Sequence, residues 1–396
     1  MAIALSKIVQ GMEPSATLAM SAKAKELKAK GEKVVDLSVG EPDFNTPKHI
    51  CEAAVAAMNA GYTRYTVASG IPALKEAICA DYLARFGLEY KPSQIVVSNG
   101  AKHSLHNAFF CTLNPGDEAI LPAPYWVSYA ELIKLSGAVP VIVPTREEDD
   151  FKLTPEALRA AITPKTRMLL LCSPSNPTGS CYTRAELEAL ADIAIENDLF
   201  VVSDEIYERL VYDGAPFASF PTLREGLADR TIVINGVSKT YAMTGWRVGW
   251  TLAPENVSKK MASLQSQETS NPCSVSQYAA LAAVTGDQSC VDAMRAEFEK
   301  RRDYVAGRIA EIPGMTCGKM GGAFYAFFNV QPFLGREYNG VKVETSQDWC
   351  MALLEQKKVA TVMGSAFGAE GYARASFAAG MDDLKEAFDR IADFVS

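Results

Sequence analysis

One lysine stands at the mouth of an apolar, glycine-bearing segment, SKTYAMTGWRVGW (238–250), and an arginine follows eight residues later. An amine with so little polar company is poorly hydrated. That disfavours its charged form, lowers its pKa and leaves a nucleophile able to form a Schiff base with an aldehyde. Lys239 is thus the candidate nucleophile, and Arg247 a candidate ligand for an anion. Other chemistries are poorly provided for. The three histidines, His49, His103 and His106, form neither an HExxH nor a finger-like set. The nine cysteines are scattered singly without a CxxC pair, as expected of mostly buried thiols in a reducing compartment. No metal site or histidine triad is expected, and acid–base work falls to lysine, tyrosine and carboxylates.

Such a lysine needs elements to present it. The central half of the chain repeats one pattern: an apolar, β-branched run, a polar or glycine-rich turn, then a helical stretch. The runs are QIVVSN (94–99), EAILPA (118–123), VPVIVP (139–144), RMLLLC (167–172), LFVVSD (199–204) and RTIVING (230–236), with helix-like stretches such as TRAELEALADIAIEND (183–198) between several of them. The alternation predicts an α/β fold, a largely parallel sheet covered by helices on both faces. Ligands of such sheets bind beyond the carboxyl ends of the strands. Those ends deliver Gly100, Ala101 and Lys102, Trp126, Asn176, Asp204 with Tyr207, and finally Lys239.

Pyridoxal 5′-phosphate is the aldehyde cofactor these residues suit. It needs a carboxylate against its ring nitrogen, which Asp204 can supply beside Lys239. It also needs an anion site, available from small residues opening a helix and from Arg247. Trp126 can stack on the ring, while Asn176 and Tyr207 can bond its phenolic oxygen. Each residue has an ordinary reading as well: a solvated loop lysine, a turn at NPTG, a helix-capping Asp204, a core Trp126, a surface Arg247. Their joint arrival, in order, at strand ends favours the functional reading.

The stretches NPTG, SDEIYERLVYDG and NGVSKTYAMTGWRVGW, with GEPDF (40–44) and PYWVSY (124–129), resemble the fold-type I pyridoxal phosphate aminotransferases, most closely the bacterial branch of aspartate and aspartate/prephenate aminotransferases. The resemblance covers nearly the whole chain. It implies a large cofactor domain (46–285) with a mainly parallel seven-stranded sheet, and a smaller α+β domain built from an N-terminal segment (1–45) and the C-terminal part (286–396). It further implies a homodimer with active sites at the subunit interface. Carried over by position, Lys239 is the Schiff-base lysine and proton shuttle, Asp204 the ring-nitrogen partner, and Asn176 and Tyr207 the ligands of the phenolic oxygen. Gly100, Ala101, Ser238 and Arg247 fall where the family holds phosphate, with Lys102 beside them, and Tyr65 matches a tyrosine reaching the neighbouring subunit's phosphate. Arg374 matches the arginine gripping the substrate α-carboxylate, a task suited to its planar fork of donors, and Gly40 a backbone contact to the same group. For the second carboxylate this branch looks to a lysine, here Lys102, and to hydroxyls, here Ser15 and Thr17. Lys102 with Thr17 is also the combination associated with prephenate. Ser15 and Thr17 also read as plain helix caps.

Two positions depart from the pattern. Gly236 stands where related enzymes often carry a hydroxyl residue, and Glu268, in SQETSNP, puts a carboxylate where small hydroxyl residues are expected. A Glu268 facing the site would weaken dicarboxylate binding or favour neutral or basic donors; facing solvent it would have no such effect. The reaction expected is ping-pong transfer of an amino group between an L-amino acid, aspartate or glutamate by preference, and a 2-oxo acid. β-Lyase chemistry and a non-enzymatic cofactor-binding regulatory domain are the alternatives on the same fold. Composition agrees with a small-molecule enzyme. The 396 residues are 48% hydrophobic, enough for large cores, and a net charge of −8 argues against nucleic acid or an anionic membrane as partner. No segment holds 18 uninterrupted apolar residues and no signal-like start is present, so a cytoplasmic location is expected.

Overall fold

The computed structural model describes residues 3–6, 10–12 and 16–396. After a helix, Ala16–Ala29, and a two-residue strand β1 (Val35–Asp36), the chain builds one large sheet. Its strands are β2 (Ile95–Ser98), β3 (Glu118–Ala123), β4 (Val139–Pro144), β5 (Thr166–Cys172), β6 (Phe200–Asp204), β7 (Thr231–Gly236) and β8 (Gly249–Leu252), in the order β2-β8-β7-β6-β5-β3-β4. The β4-β3-β5-β6-β7 block is parallel throughout, and β8 runs antiparallel between β7 and β2. All six apolar runs are therefore strands of the expected mainly parallel, seven-stranded sheet. The seventh, β8, follows the lysine segment.

Strand alternation supplies two cores from one sheet. On β5, Met168 and Leu170 pack with Leu105, Phe109 and Ile133 on one face, while Leu169 and Leu171 pack with Leu158, Leu187 and Leu190 on the other. Burial of such side chains contributes roughly 1.5–3 kcal/mol each. The helix predicted over 183–198 spans Arg184–Glu196. Thr183 and Glu186 close it with a capping box, the Thr183 N–H donating to Glu186 Oε2 at 2.7 Å.

A further core joins the two ends of the chain: Met20, Ala24, Val35 and Leu37 pack with Phe298, Phe324, Phe328, Trp349, Ile391 and many neighbours. It carries β9 (Tyr325–Asn329), β10 (Arg336–Tyr338), β11 (Val341–Val343), β12 (Val359–Ala360), β13 (Val362–Met363) and β14 (Tyr372–Ser376). Strands β13-β14-β9 form an antiparallel sheet, and β1 pairs with β12 in parallel. The helix Ser289–Glu311 runs from one core to the other, placing Val291 among the large-sheet helices and Phe298, Val305 and Ile309 in the terminal core. Among the described residues no helix is long and apolar enough to cross a membrane.

Candidate active site

The carboxyl ends of the large sheet open on a cavity of about 270 Å³ whose wall is completed by β9, β14 and the Ala16–Ala29 helix. Its lining includes Thr17, Gly40, Ala101, Lys102, Trp126, Asn176, Asp204, Tyr207, Ser238, Lys239, Arg247 and Arg374. Nearly every residue singled out in the sequence is thus brought to one place. Gly100 sits just behind the lining, Ser15 lies outside the described residues, and Tyr65 is 91% exposed, away from the cavity of its own chain.

Lys239 follows β7 and points into an apolar wall, its Nζ 6.0 Å from the Tyr207 ring centre and 5.9 Å from that of Phe324. It donates to the Gly40 carbonyl at 2.6 Å. Burial, with Arg247 and Arg374 nearby, brings its pKa down to about 8, although Glu41 and Asp204 oppose the shift. Asp204 ends β6. Burial pushes its carboxyl up to about 6, against the hydrogen bonds that favour its charged form. Tyr129 donates to Oδ2 at 2.6 Å and the Ile206 N–H to Oδ1 at 3.2 Å, which fixes the plane of the carboxylate. The ordinary reading of Asp204 is thereby corrected: the residues after it form turns rather than a helix, and its local bond is a short turn contact.

The cavity has an anion-binding end. Gly100, at φ +85°, precedes the twelve-residue helix Ala101–Thr112, whose first N–H groups lack partners within the helix. A Cβ at Gly100 would come within 2.5 Å of Arg247 Nη2, so glycine is what lets the guanidinium close over this turn. Arg247 is held by the Thr244 carbonyl at 2.9 Å, and Lys102 Nζ stands 4.9 Å from the centre of the Trp126 ring. Burial, and secondarily Arg247, lowers the Lys102 pKa.

At the other end Arg374, on β14, is only 2% exposed. It donates to Asn176 Oδ1 at 3.0 Å and to the Ser38 carbonyl at 2.6 Å, while its Nε has no hydrogen-bond partner. Tyr207 and Tyr325 share a hydrogen bond at 2.8 Å beside it. Among the described residues, none of Lys102, Lys239, Arg247 and Arg374 is ion-paired with a carboxylate. Among the described residues, four cations line the cavity with a single carboxylate, Asp204; Arg374 is buried, Lys239 partly buried, and Lys102 and Arg247 exposed. Such a site is built for anions.

Sequence reasoning missed Tyr129, Tyr325, Thr244 and Cys172, which also line the cavity. Tyr129 lies three residues after Trp126 and shares an edge-to-face ring contact with it at 5.3 Å, a spacing that could have flagged it. Tyr325 and Thr244 carried no motif. Both departures now have places. Gly236 is demanded by packing, since a Cβ there would meet Gly249 Cα at 2.8 Å and the Val248 carbonyl oxygen at 2.9 Å. Glu268 does not line the cavity; it bonds His106 at 2.9 Å, so the concern that it screens the substrate entrance is set aside for this subunit.

Comparison with known proteins agrees with this geometry. The family model described as aminotransferase class I and II matches residues 32–391. An aspartate aminotransferase of Geobacillus stearothermophilus is 48% identical over 391 residues, 99% of this chain and 98% of the relative. An aspartate/prephenate aminotransferase of Cereibacter sphaeroides is 46% identical over 98% of each chain. The crystal structure of an aspartate aminotransferase from Rhizobium meliloti superposes with a TM-score of 0.96 at 40% identity, covering 100% of this chain and 99% of that one.

Proposed function

The chain belongs to the class I and II aminotransferases, and from that premise we propose how its own residues move an amino group between aspartate and a 2-oxo acid. It is a pyridoxal phosphate-dependent transaminase of the fold-type I class. The observation that carries the reading is the cavity in which, among the described residues, four cations without a carboxylate partner and one carboxylate meet. That donor set fits a phosphorylated cofactor together with a carboxylate substrate, and the glycine-lined turn under Arg247 fits the phosphate.

When bound, pyridoxal phosphate supplies an aldehyde for condensation with amines and a ring that takes up the electron pair released at the substrate Cα. Gly100, Ala101, Ser238 and Arg247, with Lys102 beside them, would hold its phosphate, and Trp126 its ring face. Asn176 and Tyr207 would hold its phenolic oxygen. Asp204, oriented by Tyr129 and the Ile206 N–H, would keep a proton at the ring nitrogen. Arg374 takes the substrate α-carboxylate by the unpartnered side of its guanidinium, next to the Gly40 backbone. Lys102, Thr17 and Ser15 take the distal carboxylate. Lys239 Nζ, neutral above about pH 8, accepts the proton leaving Cα and holds it for redelivery. The buried apolar wall keeps water from competing for that proton.

Tyr65, exposed on its own chain, would complete the phosphate site of a second copy, which makes the working unit a homodimer. Each chain then divides as 1–45 with 286–396 around the terminal core, and 46–285 around the large sheet. We place the enzyme in the cytoplasm, where its free thiols stay reduced.

The test is the absorbance of the purified holoenzyme on adding aspartate. Loss of the visible band of the lysine-bound cofactor, with growth of the amine form's near-ultraviolet band, is the expected result, reversed by 2-oxoglutarate. Prephenate as acceptor decides whether Lys102 and Thr17 also serve that substrate. A response to neutral or basic donors alone would overturn the dicarboxylate reading.

A further inference from the structure

Glu268 closes the helix Glu255–Glu268 and meets two of the chain's three histidines. Its Oε1 lies 2.9 Å from His106 Nε2, and its Oε2 lies 3.6 Å from His103 Nε2, within ion-pair reach but beyond hydrogen-bond length. Both histidines stand on the helix Ala101–Thr112 that opens at the anion-binding turn. On its other edge His103 Nδ1 accepts the Asn99 N–H at 3.3 Å, and the Asn99 carbonyl accepts from Arg247 Nη2 at 3.5 Å. A third-position side chain here reaches back over the start of its own helix, as in a capping box. A neutral imidazole carries one proton, so an accepting Nδ1 places that proton on Nε2, towards the Glu268 carboxylate.

We propose that His103 is a positioning residue for the cofactor phosphate: only as the neutral Nε2–H tautomer, oriented by Glu268, does it hold the Asn99–Gly100 turn in which Gly100, Ala101 and Arg247 receive the anion. The proposal rests on the reading of that turn as the phosphate site. A second proton on His103 lands on Nδ1 and sets two donors, the ring N–H and the Asn99 N–H, against each other. The turn then loses its clasp. The groups facing the imidazole are Glu268 from the neighbouring helix, which favours the charged ring, and His106 from its own helix, which disfavours it. Burial is the largest influence and favours the neutral ring. Cys111, near Glu268 and Lys260, is pushed up to about 11, chiefly by burial, and stays uncharged throughout. The loss therefore comes as pH falls through the titration of His103.

The experiment measures the dissociation constant for pyridoxal phosphate by absorbance between about pH 8 and about pH 5, in the wild type and in His103→Gln, His103→Leu and Arg247→Ala. In parallel, ¹⁵N-histidine spectra of the wild type report the tautomer, with only three histidines to resolve. Glutamine keeps an acceptor but does not titrate. His103→Gln is expected to match the wild type within about threefold at pH 8 and to lack part of its loss on acidification. His103→Leu is expected to bind about tenfold more weakly at pH 8. The ligand's own ionisation is common to all and cancels in the ratios. An Nδ1–H tautomer, or a wild-type to His103→Gln ratio that is constant or rises in favour of the wild type at low pH, overturns the proposal even if the leucine variant fails to fold. Weakening by Arg247→Ala alone would leave the phosphate site standing and remove His103 from it. An unaltered affinity in Arg247→Ala would remove the phosphate site itself.

Discussion

Lys239 owes its reactivity to where it is buried, and that can be measured without turnover. With a pKa of about 8, its amine is increasingly neutral and nucleophilic as pH rises through that value. Borohydride trapping of pyridoxal phosphate on the cofactor-free protein should climb about tenfold per pH unit below pH 8 and level off above it. Lys239→Ala should trap nothing at this site. A limb centred in the ordinary lysine range would mean the side chain is hydrated and would undo the assignment. The residues legible in the sequence, Lys239, Asp204, Asn176, Tyr207 and Trp126, share one property: they end strands or open the turns after them. Arg374, whose position rested on resemblance, lies within β14, and Tyr129 on the first turn of a helix; neither is announced by a strand end. Their function comes from what the fold sets opposite them.

At the scale of elements, the pairing of β7 with β8 is the close fit on which the lysine loop hangs. Gly236 and Gly249 face each other across it, and the atoms a Cβ at Gly236 would strike are backbone atoms, which cannot swing aside. Gly236→Ala should therefore cost about 1–3 kcal/mol and lower Tm by several degrees, with a larger loss of cofactor retention than an equally destabilising change elsewhere. An unshifted Tm in calorimetry would show that the two strands part freely. The six apolar runs were readable because buried parallel strands are continuous in hydrophobicity. The seventh strand was not: at four residues, Gly249–Leu252, it is too short for a period and merges with Arg247 and Val248 before it. Its antiparallel direction depends on the loop that turns back after Lys239, a property of no single stretch.

The whole molecule joins distant parts of the chain at the site. Arg374 comes from the terminal core and Lys239 from the large sheet, and the Ser38 carbonyl and Asn176 hold the arginine between the two. Two copies are needed if Tyr65 acts as proposed. Sedimentation should give twice the 42.8 kDa chain mass, and Tyr65→Phe should weaken cofactor retention about tenfold to a hundredfold, the loss of one hydrogen bond to a charged group. A monomeric species, or an unchanged affinity in the variant, would refute the shared site. Composition foretold none of this, because an acidic chain of −8 gives no hint that its cations converge on one cavity. That convergence has a consequence for the protein's survival. Mutually repelling cations make the empty site a weak point in the fold, and every anion that enters it supplies missing counter-charge and shifts the balance towards the folded state, by about 2.7 kcal/mol at a hundred times the dissociation constant. Resistance to proteolysis then follows the supply of phosphorylated cofactor and small carboxylates, so how long each molecule lasts in the cell registers how much work there is for it.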